Sequence, residues 1–119
     1  MTSDLIDQAA LDRLLKVIGG STEDLYELFE DFDQTAPQLL QKIRDAGAEK
    51  DWPAVRIAAH SLKGNAIEFG ATDLALLCKT LEYQCRDEAV LDLDVQISAI
   101  QSGLDAARAA LAEIKAGNA

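Results

Sequence analysis

Two stretches of this chain repeat apolar residues at intervals of 3, 4, 3, 4 and 3: Trp52, Val55, Ala59, Leu62, Ala66 and Phe69, and again Ile97, Ile100, Leu104, Ala107, Leu111 and Ile114. An α-helix turns about 100° per residue, so this spacing lays one apolar stripe along one helix face. A stripe of that kind must be buried against another surface. A mean repeat of roughly 3.5 residues suits shallow crossing angles and a left-handed bundle. Only two prolines and seven glycines interrupt the 119 residues, and no clear run of alternating β-branched residues signals a strand. The spacing therefore predicts an all-α chain.

Five helical segments can be drawn. The first covers residues 8–18, with Asp7 as N-cap, Leu11, Leu14, Leu15 and Ile18 as its stripe, and Gly19-Gly20 as its stop. The second opens on Ser21-Thr22-Glu23-Asp24, a capping box with Asp in place of the commoner Glu. Its stripe reads Leu25, Leu28, Phe32, Ala36, Leu39 and Ile43; Pro37 is expected to bend or break it near Phe32 and Asp33, and Gly47 to end it. The third covers 51–69, capped by Asp51, with Pro53 in the first turn and Gly70 at the end. The fourth covers 72–87 with Leu74, Leu77, Cys78, Leu81 and Cys85 inward, and the fifth 94–115. Short connections make sequence neighbours antiparallel. The expected architecture is an antiparallel up-down four-helix bundle, with the short N-terminal helix covering one end. Residues 1–119 form one domain in this reading, with a frayed tail over 116–119. The initial Met and the absence of linker composition argue against a fragment of a larger kinase.

Charge narrows the partners. Asp and Glu number 21 against 11 Lys and Arg, a net charge of −10, which repels nucleic acid and anionic membrane surfaces. No apolar run is long enough to span a bilayer, and the N-terminus lacks a basic segment followed by an apolar one. The two cysteines, Cys78 and Cys85, fall on one stripe and are read as buried thiols. A cytoplasmic monomer is expected.

The segment richest in chemistry is the third. His60 is the sole histidine, and it lies roughly 130° from the centre of its helix's apolar stripe, so it should face solvent. Its neighbours one and two turns away are Arg56, Lys63, Gly64 and Ile67. A mid-helix glycine costs about 1 kcal/mol against alanine, and Gly64 leaves the approach to the imidazole unshielded. The alternative is a helix end at Gly64, but the stripe continues through Ala66 and Phe69. Arg56 and Lys63 either belong to the solvated surface or attract an anion held at His60. Ile57 and Ile67 fall off the stripe and suggest a docking surface; Ile67 can equally pack on the neighbouring helix.

Metal chemistry is poorly served, with one histidine, cysteines on another helix and no Glu-x-x-His pairing. Ser61 points about 100° away from His60, which removes a nucleophile–base pair. What remains is covalent chemistry on the imidazole itself, with another protein delivering the group.

The run Ala59-His60-Ser61-Leu62-Lys63-Gly64-Asn65-Ala66-Ile67-Glu68-Phe69-Gly70-Ala71 resembles the signature of histidine-containing phosphotransfer (HPt) domains. Leu77-Cys78-Lys79-Thr80-Leu81-Glu82 looks like the following helix of that family, and Ala10-Leu11-Asp12-Arg13-Leu14, the Gly19-Gly20 break and the proline in the second helix are similar too. The resemblance implies a phosphoacceptor role for His60, phosphoryl stabilisation by Lys63 and open access at Gly64. Glu82 matches a glutamate that, in related chemotaxis-kinase domains, lies beside the histidine and can orient the imidazole; its alternative is a solvated carboxylate. Arg86, one turn on, is either a second cation at the site or plain surface. Arg56, Ile57, Gly64, Ile67 and Arg86 make up the expected partner face. Asn65 departs from the Ser common in the family, but still offers a hydrogen-bond donor. The implied partners are a response-regulator receiver domain and/or a hybrid sensor histidine kinase. Mg²⁺ is implied in the partner receiver only, with no cofactor or metal held by this chain. No kinase nucleotide-binding motif is present, so autonomous kinase activity is not expected. The competing reading is a non-catalytic helical adaptor that docks receiver or kinase domains without phosphate transfer.

Overall fold

The computed structural model describes residues 5–117. It is all-α: α1 spans Gln8–Val17, α2 Thr22–Ala48, α3 Trp52–Glu68, α4 Thr72–Arg86 and α5 Leu93–Lys115. The helix starts follow local chemistry. Asp7, Ser21 and Asp51 each accept a hydrogen bond from a first-turn amide, supplied by Ala9, Asp24 and Ala54. Each such bond satisfies a donor that the helix leaves orphaned. Gly19, at φ +96°, and Gly70, at φ +75°, adopt left-handed turns after α1 and α3. Gly70 is also hemmed in: a Cβ there would stand 2.6 Å from the Asp7 carbonyl oxygen. The Asp7 amide donates to the Gly70 carbonyl at 2.8 Å, which ties the start of α1 to the turn between α3 and α4.

Four helices pack in a ring, α2 on α3, α3 on α4, α4 on α5 and α5 on α2, while α1 touches α2 and α3. Cross-helix pairs show opposed directions. From α5 to α2, Gln101 meets Arg44, Arg108 meets Asp33 and Lys115 meets Glu30, rising along one helix and falling along the other. The core is continuous. Phe32, Leu40, Ile43, Val55, Leu62, Leu74, Leu81, Ile100, Leu104 and Leu111 are all buried, and each such side chain contributes about 1.5–3 kcal/mol relative to exposure. Cys78 and Cys85 are buried free thiols, and desolvation pushes Cys78 up to about 12, too high to form a thiolate readily.

Helix α2 departs from expectation at three places. It runs unbroken through Pro37. Its buried residues are Leu25, Phe29, Phe32, Ala36, Leu40, Ile43 and Gly47, so Leu28 and Leu39 give way to Phe29 and Leu40. Gly47 does not end it; the helix continues to Ala48, and Lys50 at φ 55° makes the turn. Gly47 instead lets α5 come close, because a Cβ there would stand 2.6 Å from a Leu93 methyl carbon. Of the tail 116–119, Ala116 caps α5; residues 118 and 119 lie outside the described residues.

Candidate functional site

His60 projects from the middle of α3 with 65% of its side chain exposed. The reason is phase: Ala58, Ala59 and Leu62 on the same turns are buried, which turns position 60 outward. Facing it from α4 is Glu82, whose side chain is only 14% exposed. Glu82 Oε2 lies 2.9 Å from His60 Nδ1, and Glu82 Oε1 lies 2.8 Å from Lys63 Nζ. Oε1 is buried and lacks a well-aligned hydrogen bond, so Lys63 meets it as an ion pair. Burial works to raise the Glu82 pKa, but the contacts with Lys63 and then His60 outweigh it and hold the carboxyl below its ordinary range. The same contact raises Lys63 above the usual lysine value.

These charges decide the tautomer. An ionised carboxylate can only accept, so Nδ1 carries the proton and donates it to Oε2. Nε2 keeps its lone pair, on a ring that stands mostly in solvent. Gly64, one turn further along α3, meets nothing within 4 Å of a built Cβ. No internal contact requires a glycine there, and the space it leaves open is external.

The remaining candidates surround this centre. Arg56, Ile57, His60, Ser61 and Glu82 line one shallow depression. Ile57 is 63% exposed and Ile67 57%, and Ile67 also lines a depression with Thr72, Ala75 and Leu76 of α4. Arg86 lies one turn beyond Glu82, ion-paired to Asp87 at 3.0 Å and set over the Tyr83 ring at 4.5 Å. Tyr83 is the residue that sequence reasoning missed. Lys63, Lys79 and Arg86 all gather on its ring. Its signal was available: Lys79, Tyr83 and Arg86 follow at intervals of four and three, one face of α4. Among the described residues no group of three His, Cys, Asp or Glu side chains could hold a metal ion, and no helix is long and apolar enough to cross a membrane.

An exposed, carboxylate-oriented imidazole on a helical ring defines a class of protein, and comparison gives that class its name. The family model for the Hpt domain matches residues 27–110, and the chain belongs to that family. The fold is similar to the crystal structure of histidine-containing phosphotransfer protein B (HptB) from Pseudomonas aeruginosa PAO1, with a TM-score of 0.85, 25% sequence identity and coverage of 96% of each chain. Comparison with curated proteins gives no match.

Proposed function

We propose that this chain is a phosphocarrier of a two-component phosphorelay, taking a phosphoryl group on His60 from a receiver aspartate or a sensor kinase and passing it to a receiver aspartate. The observation that carries the reading is the hydrogen bond from His60 Nδ1 to Glu82 at 2.9 Å on a ring 65% exposed, which leaves Nε2 as the free nucleophile. With a receiver aspartyl phosphate as donor, the Nε2 lone pair attacks phosphorus, the bond to the donor's carboxylate oxygen breaks, and that oxygen keeps the electron pair. The ring becomes a phosphorylated imidazolium that still holds its Nδ1 proton, and the Glu82 carboxylate offsets its charge. Reversal expels a neutral imidazole, so neither direction needs a proton from solvent. Lys63, held on the same Glu82 carboxylate as the imidazole, supplies positive charge for the arriving phosphoryl oxygens. The partner is a receiver domain, which supplies its own aspartate and Mg²⁺. It docks on the face formed by Arg56, Ile57, Gly64, Ile67 and Arg86, and the antiparallel four-helix bundle serves as a rigid mount.

The test is incubation with a phosphorylated receiver domain. The wild type should take up acid-labile, alkali-stable phosphate and His60→Gln none. A wild type that binds the receiver, takes up no phosphate and keeps its affinity in His60→Gln would be an adaptor instead.

A further inference from the structure

Tyr83 stands next to this site and has no role in the chemistry above. It follows Glu82 on α4 and is 39% exposed. Lys63 Nζ lies 5.8 Å from its ring centroid, Lys79 Nζ 5.5 Å and Arg86 Cζ 4.5 Å. Lys79 and Arg86 reach the ring along their own helix, whereas Lys63 reaches it from α3. Lys63 and Arg86 have carboxylate partners in Glu82 and Asp87. Among the described residues Lys79 has no carboxylate partner of that kind, and its ammonium rests over the ring. Three like charges at one place repel, and the negative face of an aromatic ring is the group that offsets them.

Lys63 therefore has two holds, the Glu82 carboxylate and the Tyr83 ring. Phosphorylation makes conflicting demands on the first. The phosphoryl group brings about −1.5 to −2 charge and draws the ammonium toward His60, while the new imidazolium makes a stronger claim on Glu82. The ring is the hold that neither event removes. Resting on the proposed phosphotransfer, we infer that Tyr83 is a positioning residue, its ring keeping the Lys63 ammonium beside His60 as the phosphoryl group draws it off Glu82.

Phosphoramidate separates this role from docking, since it is a small donor with no protein surface. Its P–N bond breaks as Nε2 attacks, and ammonia leaves. The expected result is uptake two- to fivefold slower in Tyr83→Leu, the size of an exposed cation–π contact, roughly 0.5–1 kcal/mol at tenfold per 1.36 kcal/mol. Tyr83→Phe, which keeps the ring, should restore the rate. Adding Tyr83→Leu to Lys63→Ala should slow uptake no further, and a phosphorylated receiver as donor should show the same fold-loss. Thermal unfolding of each variant checks that the helices are intact. Unchanged uptake in Tyr83→Leu overturns the inference, as does a full loss on the Lys63→Ala background. Slowing with the receiver alone also overturns it, and makes Tyr83 a docking contact. A wild type that takes phosphate from neither donor removes the phosphotransfer reading itself, a result distinct from all of these.

Discussion

Glu82 is wedged between the His60 ring and the Lys63 ammonium, and its titration is the most direct probe of the site. Its carboxyl is held below the ordinary value of 4.5. A depressed acid contributes stability that is fully present above the unfolded value and is lost as pH falls through the lower folded one. Wild type should therefore lose stability relative to Glu82→Gln as pH falls through 4.5 and below. Denaturant midpoints measured across that range check it; parallel curves for the two proteins would mean that Glu82 is not charged against Lys63 and His60. Gly64 makes the opposite demand on folding and function. A Cβ at Gly64 meets nothing within 4 Å, so Gly64→Ala should stabilise the protein by up to about 1 kcal/mol. Gly64→Gln should keep the fold but transfer poorly with a receiver and normally with phosphoramidate, because only the receiver needs the open approach. Equal receiver rates for Gly64→Gln and wild type would remove the access role. At this scale His60 was legible, since the phase of one helix turns it outward. Glu82 sits 22 residues further on, on a different helix, and no spacing within either helix can register the two; the family resemblance pointed to it. Tyr83 escaped notice because its importance lies in Lys63 reaching it across that same seam.

Elements are governed by a competition between local rules and burial, and α2 shows which side prevails. Proline inside a helix removes one hydrogen bond and costs about 3 kcal/mol. Against that, α2 buries Phe32 and Ala36 before Pro37 and Leu40 and Ile43 after it, all at 2% exposure or less. Breaking the helix would strip both halves of their register on α3 and α5, so tertiary packing overrides the local penalty. The burial pattern explains the phase error as well. From Leu25 to Gly47 the buried positions advance by 4, 3, 4, 4, 3 and 4, closer to the about 3.6-residue period of a straight helix than the repeat of α3. A stripe drawn through Leu28 and Leu39 reads the same helix one residue out of phase, which hydrophobicity alone cannot correct, because Leu and Phe occupy both sets. Gly47 misled for a related reason: glycine marks a helix end or a close approach, and only the position of Leu93 tells which. The capped starts at Asp7, Ser21 and Asp51 were legible because capping is a contact within a few residues. It follows that Pro37→Ala should raise stability, by up to about 3 kcal/mol, as the helix regains a bond without moving its core residues. Calorimetry of the variant checks this, and a lower melting temperature would mean that the packing of α2 depends on a shape the proline imposes.

The whole molecule sets a buried and an exposed face on opposite sides of α3, and the proposed docking uses the exposed one. Inward, α3 places Val55, Ala59, Leu62 and Ala66 in the core with no exposed surface. Outward, it carries Ile57 and His60, and Ile57 forms the ridge between two depressions, a largely apolar groove of about 410 Å³ against α2 and the smaller one that holds His60. A chain of net charge −10 that still sets Arg56 beside His60, and Lys63, Lys79 and Arg86 on the neighbouring Tyr83 ring, concentrates its attraction for anions on that face. Steering of an acidic partner toward it should weaken as salt rises, with the association rate falling first. The division of labour makes a paired prediction. Leu62→Ala opens a cavity in the core and should cost about 2–5 kcal/mol in unfolding free energy. His60 and Lys63 flank Leu62 on α3, yet phosphate uptake per folded molecule should change little while the helix stays formed. Ile57→Ala removes an exposed side chain, so its stability should stay within about 0.5 kcal/mol of wild type. Transfer from a receiver should nevertheless slow, through a raised KM at an unchanged rate with phosphoramidate. Urea unfolding and the two donors, applied to both variants, separate the effects. A core variant that loses uptake while folded, or an Ile57 variant that unfolds early, would show that the mount and the docking face are one cooperative structure and cannot be altered independently.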